Sequence, residues 1–407
     1  MSTQRTDIDR LESLLDLAAE SILSASDDEM LNVFSEAEID PSQVEYNVDR
    51  LISGAIKNRR KNYLATAKTA YESLKKWVAT LVSQTQLPED SDARHALERM
   101  IAQPSDSWKS VTLAFRNKTA MSDDDAAGIL EDLTVLNRLG GDRNRNWAWT
   151  FHSWSADQLL HQLDITEPRE IDVEAIAYYC GAIVTYRALQ NSAARIIGTE
   201  DRAIISVDSS SSRGRQRFSV AHELGHWMLH HGKVAYLCDD RDLSSPWEFR
   251  QDPESRANEF AAELLLPRSL FKATTENRDV TFKTVSELAD IFQTSLTATA
   301  IRLVQLASSP AMVICYGQEG RRWYARGPNI SASIFPKMEL GHETAAFELL
   351  FGNTRQSRPL PSKAKEWITH RYAYQTTVVE DSIKIGNDSV LTLIWWKDRS
   401  QLSRLEE

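Results

Sequence analysis

The stretch that decides the fold of this chain is Arg217-Phe-Ser-Val-Ala-His222-Glu223-Leu-Gly-His226-Trp227. Its two histidines are four residues apart, so a helix would place both imidazole rings on the same face. Two histidines at this spacing, with a glutamate directly after the first, form a zinc-binding pattern. The apolar residues Phe218 and Leu224 favour a packed helix over a surface helix whose histidines are incidental.

Glu223 is the predicted catalytic residue. It lies about 100° around the helix from His222, on the side where a zinc-bound water would be. Zinc lowers the pKa of such a water toward neutrality, and Glu223 can accept the proton of the water and pass it to a leaving amine. The pattern therefore predicts hydrolysis of a peptide bond without a nucleophilic side chain.

The third zinc ligand is predicted to be Glu254. A catalytic zinc site has three protein ligands and keeps a fourth position for water, and Glu254 opens a second helical stretch 28 residues after His226. Pro253 suits the first turn of that helix, and Pro267 ends it. Apolar residues recur along the stretch at helical spacing, so the second helix has a buried face that could lie against the first.

Three other residues of the two helices are candidates for the site. Glu263 is the alternative third ligand, in which case Glu254 only complements the positive end of its helix. Asn258, one turn after Glu254, is predicted to hydrogen-bond a zinc-ligating histidine and set its tautomer, unless it is an ordinary surface residue. His230 follows the two histidines on the same stripe of the helix, where we expect it to pack or to support a ligand.

These two stretches together resemble the ImmA/IrrE family of zinc metallopeptidases. The likeness rests on residues 217–230, on residues 254–267 and on the upstream segment 170–186. It covers roughly residues 155–310 and says little about either end of the chain.

The resemblance implies a ligand set and a biological role. In the family, the two histidines and the glutamate of the second helix bind zinc, which implies His222, His226 and Glu254 here. The glutamate between the histidines implies Glu223 as the base. Members act inside bacterial cells on one or a few transcriptional repressors, and so switch on mobile-element, phage or stress-response genes. A protein substrate, with a repressor as the expected one, is therefore implied.

The expected fold class is α+β, arranged in three regions. Residues 1–146 are predicted to be a helical N-terminal region, 147–309 a zincin-like metallopeptidase domain with a small sheet, and 310–407 a C-terminal α/β module. A helix-turn-helix-like segment is predicted at 284–306, with Ser295 as the cap of its second helix. That helix offers few side chains that can reach base edges, which favours a structural role over DNA reading.

The N-terminal region has helical periodicity and ends in a linker. Apolar residues at helical intervals predict helices over residues 44–82 and from Ser122 onward. Residues 140–146 are polar and contain glycines, which is typical of a linker. The tryptophans that follow are predicted to anchor this linker to the peptidase domain, with a peptide-binding surface as the alternative; they are Trp147, Trp149 and Trp154.

Strands are expected on both sides of the active-site helix. Within the peptidase domain, residues 183–186 and 203–208 are strand candidates, and either could pair with an extended substrate as an edge strand. In the C-terminal module, strands are predicted at 312–316, 322–326, 376–379 and 390–395, with a helix near 343–350. This module could sense a ligand, dock a substrate or be purely structural.

Charge and composition predict an intracellular protein. The formal net charge of −11 argues against nonspecific binding to nucleic acid, because like charge repels the phosphate backbone. The net charge leaves room for a local basic patch, and the cluster Lys57–Lys61 lies inside a helical pattern. We predict that it is a solvated helix face, with nucleic-acid contact as the alternative. We find neither the apolar core of a signal peptide nor a window long enough to span a membrane.

The cysteines point to the same compartment. The chain has three scattered cysteines, which fits a reducing cytoplasm better than a disulfide framework. Cys238 is expected to be an ordinary thiol, with a fourth metal ligand or a redox switch as the alternatives.

Two classes of function follow from the sequence. The first is a zinc endopeptidase that cleaves one or a few regulatory proteins; the second is a DNA- or protein-binding regulator whose metal site is structural or idle. They differ in the role of Glu223, because Glu223→Gln should abolish cleavage in the first and be silent in the second. The oligomeric state and the group that stabilises the oxyanion are not fixed by the sequence.

Overall fold

The computed structural model describes residues 60–78, 80, 93, 95–97, 123–139, 154–189, 192–198, 202–230, 235–238, 252–276, 278–352, 358–398 and 400–402. The chain divides into two compact units, residues 1–62 and 63–407. The predictions for residues 44–59, Ser122, the linker 140–146, Trp147 and Trp149 lie outside the described residues, as do the side chains of His230 and Cys238.

The second unit contains helices and strands throughout its described length. Its helices are a segment over residues 63–78, α1 (Asp123–Leu139), α2 (Ala156–Gln162), α3 (Val173–Tyr179), α4 (Arg213–His230), α5 (Pro253–Leu265), α6 (Arg268–Thr275), α7 (Phe282–Phe292), α8 (Leu296–Leu306) and α9 (Ala345–Phe351). Its strands are β1 (Ala182–Arg187), β2 (Ala194–Gly198), β3 (Ala203–Asp208), β4 (Ala235–Cys238), β5 (Ala311–Gly317), β6 (Gly320–Arg326), β7 (Leu360–Lys363), β8 (Thr377–Ile385) and β9 (Ser389–Trp395). The mixture of helices and two sheets confirms the α+β class.

The first sheet has the strand order β1-β3-β2-β4. β1 runs parallel to β3, whereas β2 is antiparallel to both β3 and β4. The candidate strand 203–208 is therefore internal, and its backbone groups are paired on both sides. The expectation that it could hold substrate as an edge strand was wrong, since within the described residues β1 and β4 form the edges.

Helices cover both faces of this sheet. Because side chains alternate along a strand, Val184 and Ile205 face α4 and share its core, whereas Ile183 and Ile204 face α1. The indole Nε1 of Trp227 on α4 donates a 2.7 Å hydrogen bond to the carbonyl of Cys180. The sheet is thus the middle layer of three, and α4 lies on one side of it.

A buried ion pair fixes α1 to the sheet. Asp132 of α1 and Arg195 of β2 are 0% and 1% exposed. Arg195 donates to the Asp132 carboxylate through Nε at 3.1 Å and Nη2 at 2.9 Å, and the Ser206 hydroxyl donates to the same oxygen at 3.0 Å. A side chain at Gly128 would overlap the guanidinium, so this glycine permits the close approach.

The segment predicted to resemble a helix-turn-helix forms two helices, α7 and α8. Gln293 ends α7 with a left-handed φ of 53°, and the Ser295 side chain caps α8 by accepting from the backbone N–H of Ala298. Every residue of α8 is buried or half-buried. The second helix is therefore packed into the protein along its whole length.

The C-terminal sheet is antiparallel, with the order β6-β5-β9-β8-β7. Each of the four predicted strand segments forms a strand, and β7 is a strand that the sequence did not indicate. Val313 and Cys315 join the core that contains the first sheet and α4, whereas Ile314 and Tyr316 pack with α9. The C-terminal sheet thus shares a continuous core with the region before residue 310.

No helix in the described part of the chain is both long and apolar enough to cross a membrane.

Breaking the Asp132–Arg195 pair should destabilise the protein strongly. Asp132→Ala leaves a buried guanidinium without its carboxylate, a change that costs about 3–5 kcal/mol. Glu287→Ala is the control, because the Arg278–Glu287 pair is exposed and such pairs contribute about 0–1 kcal/mol. Urea denaturation measures both, and equally small losses would contradict the role given to the buried pair.

Candidate metal centre

Helix α4 supplies two of the three converging side chains. Its 18 residues run from Arg213 to His230, so His222 and His226 lie one turn apart, and both are 0% exposed. Val220, Leu224 and Met228 on the same helix are buried in the core beside the first sheet. Packing on that side fixes the rotation of α4 about its axis.

Helix α5 supplies the third side chain, Glu254. The Asp252 side chain caps α5 by accepting from the Ser255 backbone N–H at 3.0 Å, and Pro253 is in the first turn. The proline was expected from the sequence, whereas the aspartate cap was not. Because aspartate is a preferred N-cap residue and proline is common at the first helical position, the Asp252-Pro253 pair was the signal for this cap.

The two helices approach closely at Gly225. A Cβ atom built there would lie 3.1 Å from Cα of Ala257 and 3.2 Å from Cβ of Phe260. Any larger residue at position 225 would therefore push the backbone of α5 away from α4 by a few tenths of an ångström. The close approach brings the first turn of α5 beside the histidines of α4.

Three donor atoms meet at this junction. The Nε2 atoms of His222 and His226 are 3.1 Å apart, and Oε2 of Glu254 lies 3.2 Å from the first and 3.3 Å from the second. Tetrahedral zinc with bonds of about 2.0–2.1 Å holds its donor atoms about 3.3–3.4 Å apart. The donor types and their separations therefore fit a zinc ion, and within the described residues this is the group of side chains suited to a metal.

The two histidines hold the Glu254 carboxyl group in its ionised form. Burial by itself raises the pKa of the Glu254 carboxyl, but hydrogen bonds and charge from His222 and His226 outweigh burial and hold its pKa well below the usual range. The carboxylate is therefore ionised at neutral pH. Its side chain is 33% exposed, whereas both histidines are fully buried, so the centre opens to solvent on the Glu254 side.

Asn258 lies where it can orient a ligand. Its Oδ1 is 2.9 Å from Nδ1 of His222, and since an amide oxygen only accepts, the Nδ1–H of the histidine is the donor. That tautomer leaves the Nε2 lone pair of His222 directed at the other two donor atoms. A hydrogen bond of this kind is typical of metal-binding histidines.

Glu223 is buried next to the first ligand. It is 0% exposed and lies in the same turn of α4 as His222. The interior of the protein thus holds a carboxyl group beside the converging donor side chains.

Glu263, the alternative ligand, is placed elsewhere. It forms an ion pair with Arg302 of α8 and accepts a 2.9 Å hydrogen bond from the backbone N–H of Arg268. Nine residues separate Glu254 and Glu263, which places them on opposite sides of α5. One carboxylate can face the histidines only if the other faces away.

The buried cysteines of the described residues are not suited to metal binding. Cys180 and Cys315 are free thiols. Burial raises the pKa of Cys180 to about 12 and that of Cys315 to about 11, so neither is a thiolate at neutral pH.

Comparison with known proteins identifies the central region. Residues 179–304 match the family model of the IrrE N-terminal-like domain. A solved structure described as a Mycobacterium tuberculosis transcriptional regulator is similar, with 14% identity, a TM-score of 0.41, and coverage of 61% of this chain and 88% of that chain. No curated protein matches the chain.

Removing the Asn258 amide should weaken metal binding. Asn258→Ala frees the His222 ring to rotate and to adopt the other tautomer, and loss of such a partner costs about 10- to 100-fold in metal affinity. Glu259→Ala changes an exposed neighbour on α5 and should leave affinity unchanged. Competition with a chromophoric chelator measures both. Equal zinc affinities in the two variants would show that Asn258 does not orient the ligand.

Proposed function

Because residues 179–304 belong to the ImmA/IrrE family, we propose that this protein is a zinc-dependent endopeptidase acting on one or a few regulatory proteins. The observation that carries the proposal is the convergence of the His222, His226 and Glu254 donor atoms within 3.1–3.3 Å of one another. A buried glutamate, Glu223, adds a carboxyl group that can transfer a proton during peptide hydrolysis.

Each of these side chains has a separate role in the reaction. When bound, zinc would act as a Lewis acid that polarises the scissile carbonyl and lowers the pKa of water. His222 and His226 hold the metal with neutral nitrogen donors, and Glu254 adds the negative charge that favours a cation in a buried site. Asn258 keeps His222 in the tautomer that binds. These four residues create the site but transfer no proton.

Glu223 is the residue that we assign to proton transfer. Its carboxylate accepts a proton as the water oxygen bonds to the scissile carbonyl carbon. It returns that proton to the amine nitrogen as the C–N bond breaks, so a single buried carboxyl serves as base and then as acid. The partial exposure of Glu254 indicates that the peptide enters on the α5 side.

We expect the substrate to be a transcriptional repressor. The support for this is the family resemblance, and the role would lie in stress, mobile-element or phage responses inside the cell. Cleavage of a repressor would release the genes that it controls. Comparison of protein N-termini between cells identifies the scissile bond and the condition that triggers cleavage.

A DNA-reading role for α7 and α8 is less favoured by the packing. The second helix of a DNA-binding helix-turn-helix enters the major groove, but every residue of α8 is buried or half-buried. The exposed face of α7 carries Glu287 and Asp290 together with Lys283, which gives no positive patch for phosphates. The helix pair therefore fits a structural role.

Glu223→Gln should abolish proteolysis without loss of zinc. The amide cannot accept a proton from water, and general-base catalysis contributes at least about 100-fold to rate. New protein N-termini are compared in cells that express the wild type, Glu223→Gln or the control Glu259→Gln, with and without phage or DNA damage. Termini found with the wild type and the control, but not with Glu223→Gln, would establish cleavage and identify the target.

The same experiment can also contradict the proposed peptidase activity. If zinc is bound and no terminus depends on Glu223 under any condition, the protein is a binding module whose metal site is structural or idle.

A further inference from the structure

Two buried side chains far from the donor atoms connect the C-terminal sheet to helix α5. We propose that Arg302 and Asp381 are positioning residues for the metal centre, because they fix the placement of α5 and hence of Glu254 against the histidines of α4. The inference rests on the proposed metal site. It means that the C-terminal sheet, through Asp381, helps to position a zinc ligand.

The ligand set makes the centre sensitive to helix placement. His222 and His226 are both on α4, so their separation is set within one helix. Glu254 is on α5, and its Oε2 reaches the two Nε2 atoms at 3.2 and 3.3 Å only if α5 keeps its place along α4. A small shift of α5 therefore moves Glu254 relative to both histidines, and it also moves the Asn258 amide that orients His222.

Arg302 of α8 holds the C-terminal end of α5. Its side chain is 5% exposed, its Nε donates to the carbonyl of Leu266 at 2.8 Å, and its Nη2 donates to Glu263. Leu266 is the C-cap of α5, so one guanidinium binds the helix end and a side chain of its last turn. Charge-assisted bonds of this kind are stronger than neutral ones.

Asp381 of β8 holds the start of α7. It is 1% exposed, and its Oδ2 accepts a 2.7 Å hydrogen bond from the backbone N–H of Phe282, the first residue of α7. The residues are 99 positions apart in the sequence, so this cap comes from the C-terminal sheet. A carboxylate at a helix N-terminus also interacts favourably with the helix dipole.

The intervening helices form a packed connection between these two contacts. Val285, Leu288 and Phe292 of α7 and Leu303 of α8 are buried in one core. At the far end of α8, a Cβ atom at Gly327 would lie 2.8 Å from the carbonyl oxygen of Val304, so α8 lies directly on the residue that follows β6. Close packing of this kind transmits displacement instead of absorbing it.

The test uses isosteric variants and the metal alone. Glu263→Gln removes the charge that Arg302 binds, and Asp381→Asn removes the charge that caps α7. Glu287→Gln is the matched control, since its ion pair with Arg278 lies on the exposed side of α7. Zinc dissociation constants come from chelator competition on the full-length apoprotein. The visible absorption of the Co2+-loaded protein reports ligand geometry, and thermal melting reports folding.

We expect both variants to raise the zinc dissociation constant by about 3- to 10-fold and to shift the Co2+ bands, with Glu287→Gln unchanged. The double variant should lose less affinity than the two single losses combined, because both act on the same helix. Variants that melt earlier but bind zinc with wild-type affinity and unshifted Co2+ bands would overturn the inference. A wild type that binds no zinc would instead overturn the metal site itself.

Discussion

The contact between α4 and α5 at Gly225 is the one on which the rest of the site depends. Two of the proposed zinc ligands lie on one helix and the third lies on the other, so their donor atoms converge only if the two helices approach closely. The 3.1 Å gap that a Cβ at Gly225 would leave to Ala257 shows how little space there is. The absence of a Cβ atom at Gly225 thus lets α5 approach α4 closely enough for Glu254 to reach the histidines.

Contacts with the rest of the protein fix the positions of α4 and α5. Helix α4 lies on a sheet whose opposite face is fastened to α1 by the buried Asp132–Arg195 pair. Helix α5 ends against Arg302, which belongs to the helix pair below the C-terminal sheet. Burying an ion pair costs desolvation free energy, but its strict geometry can fix one arrangement of the elements that it joins. The Asp132–Arg195 pair lies on the face of the sheet opposite α4, and the Arg302–Glu263 pair lies at the C-terminal end of α5.

Sequence reasoning succeeded where the signal is local. The spacing of His222 and His226 predicts a shared helix face, and Pro253 marks the start of α5. It failed where partners are distant in the chain. The strand 203–208 is internal because β2 and β1 both pair with it, an order that periodicity does not encode. Glu254 was predicted as the third ligand and lies beside the two histidines. The partner of Glu263 was not predicted, because Arg302 is 39 residues away in the sequence.

We propose that His222, His226 and Glu254 bind one zinc ion. X-ray absorption at the zinc edge of the purified protein tests this binding most directly, because the method reports the atoms bonded to the metal. We predict one zinc per chain, with nitrogen and oxygen atoms bonded to it at about 2.0–2.2 Å and two imidazoles among its ligands. A sulfur neighbour at about 2.3 Å would contradict it by bringing a cysteine such as Cys238 into the site. Absence of stoichiometric zinc would contradict it outright.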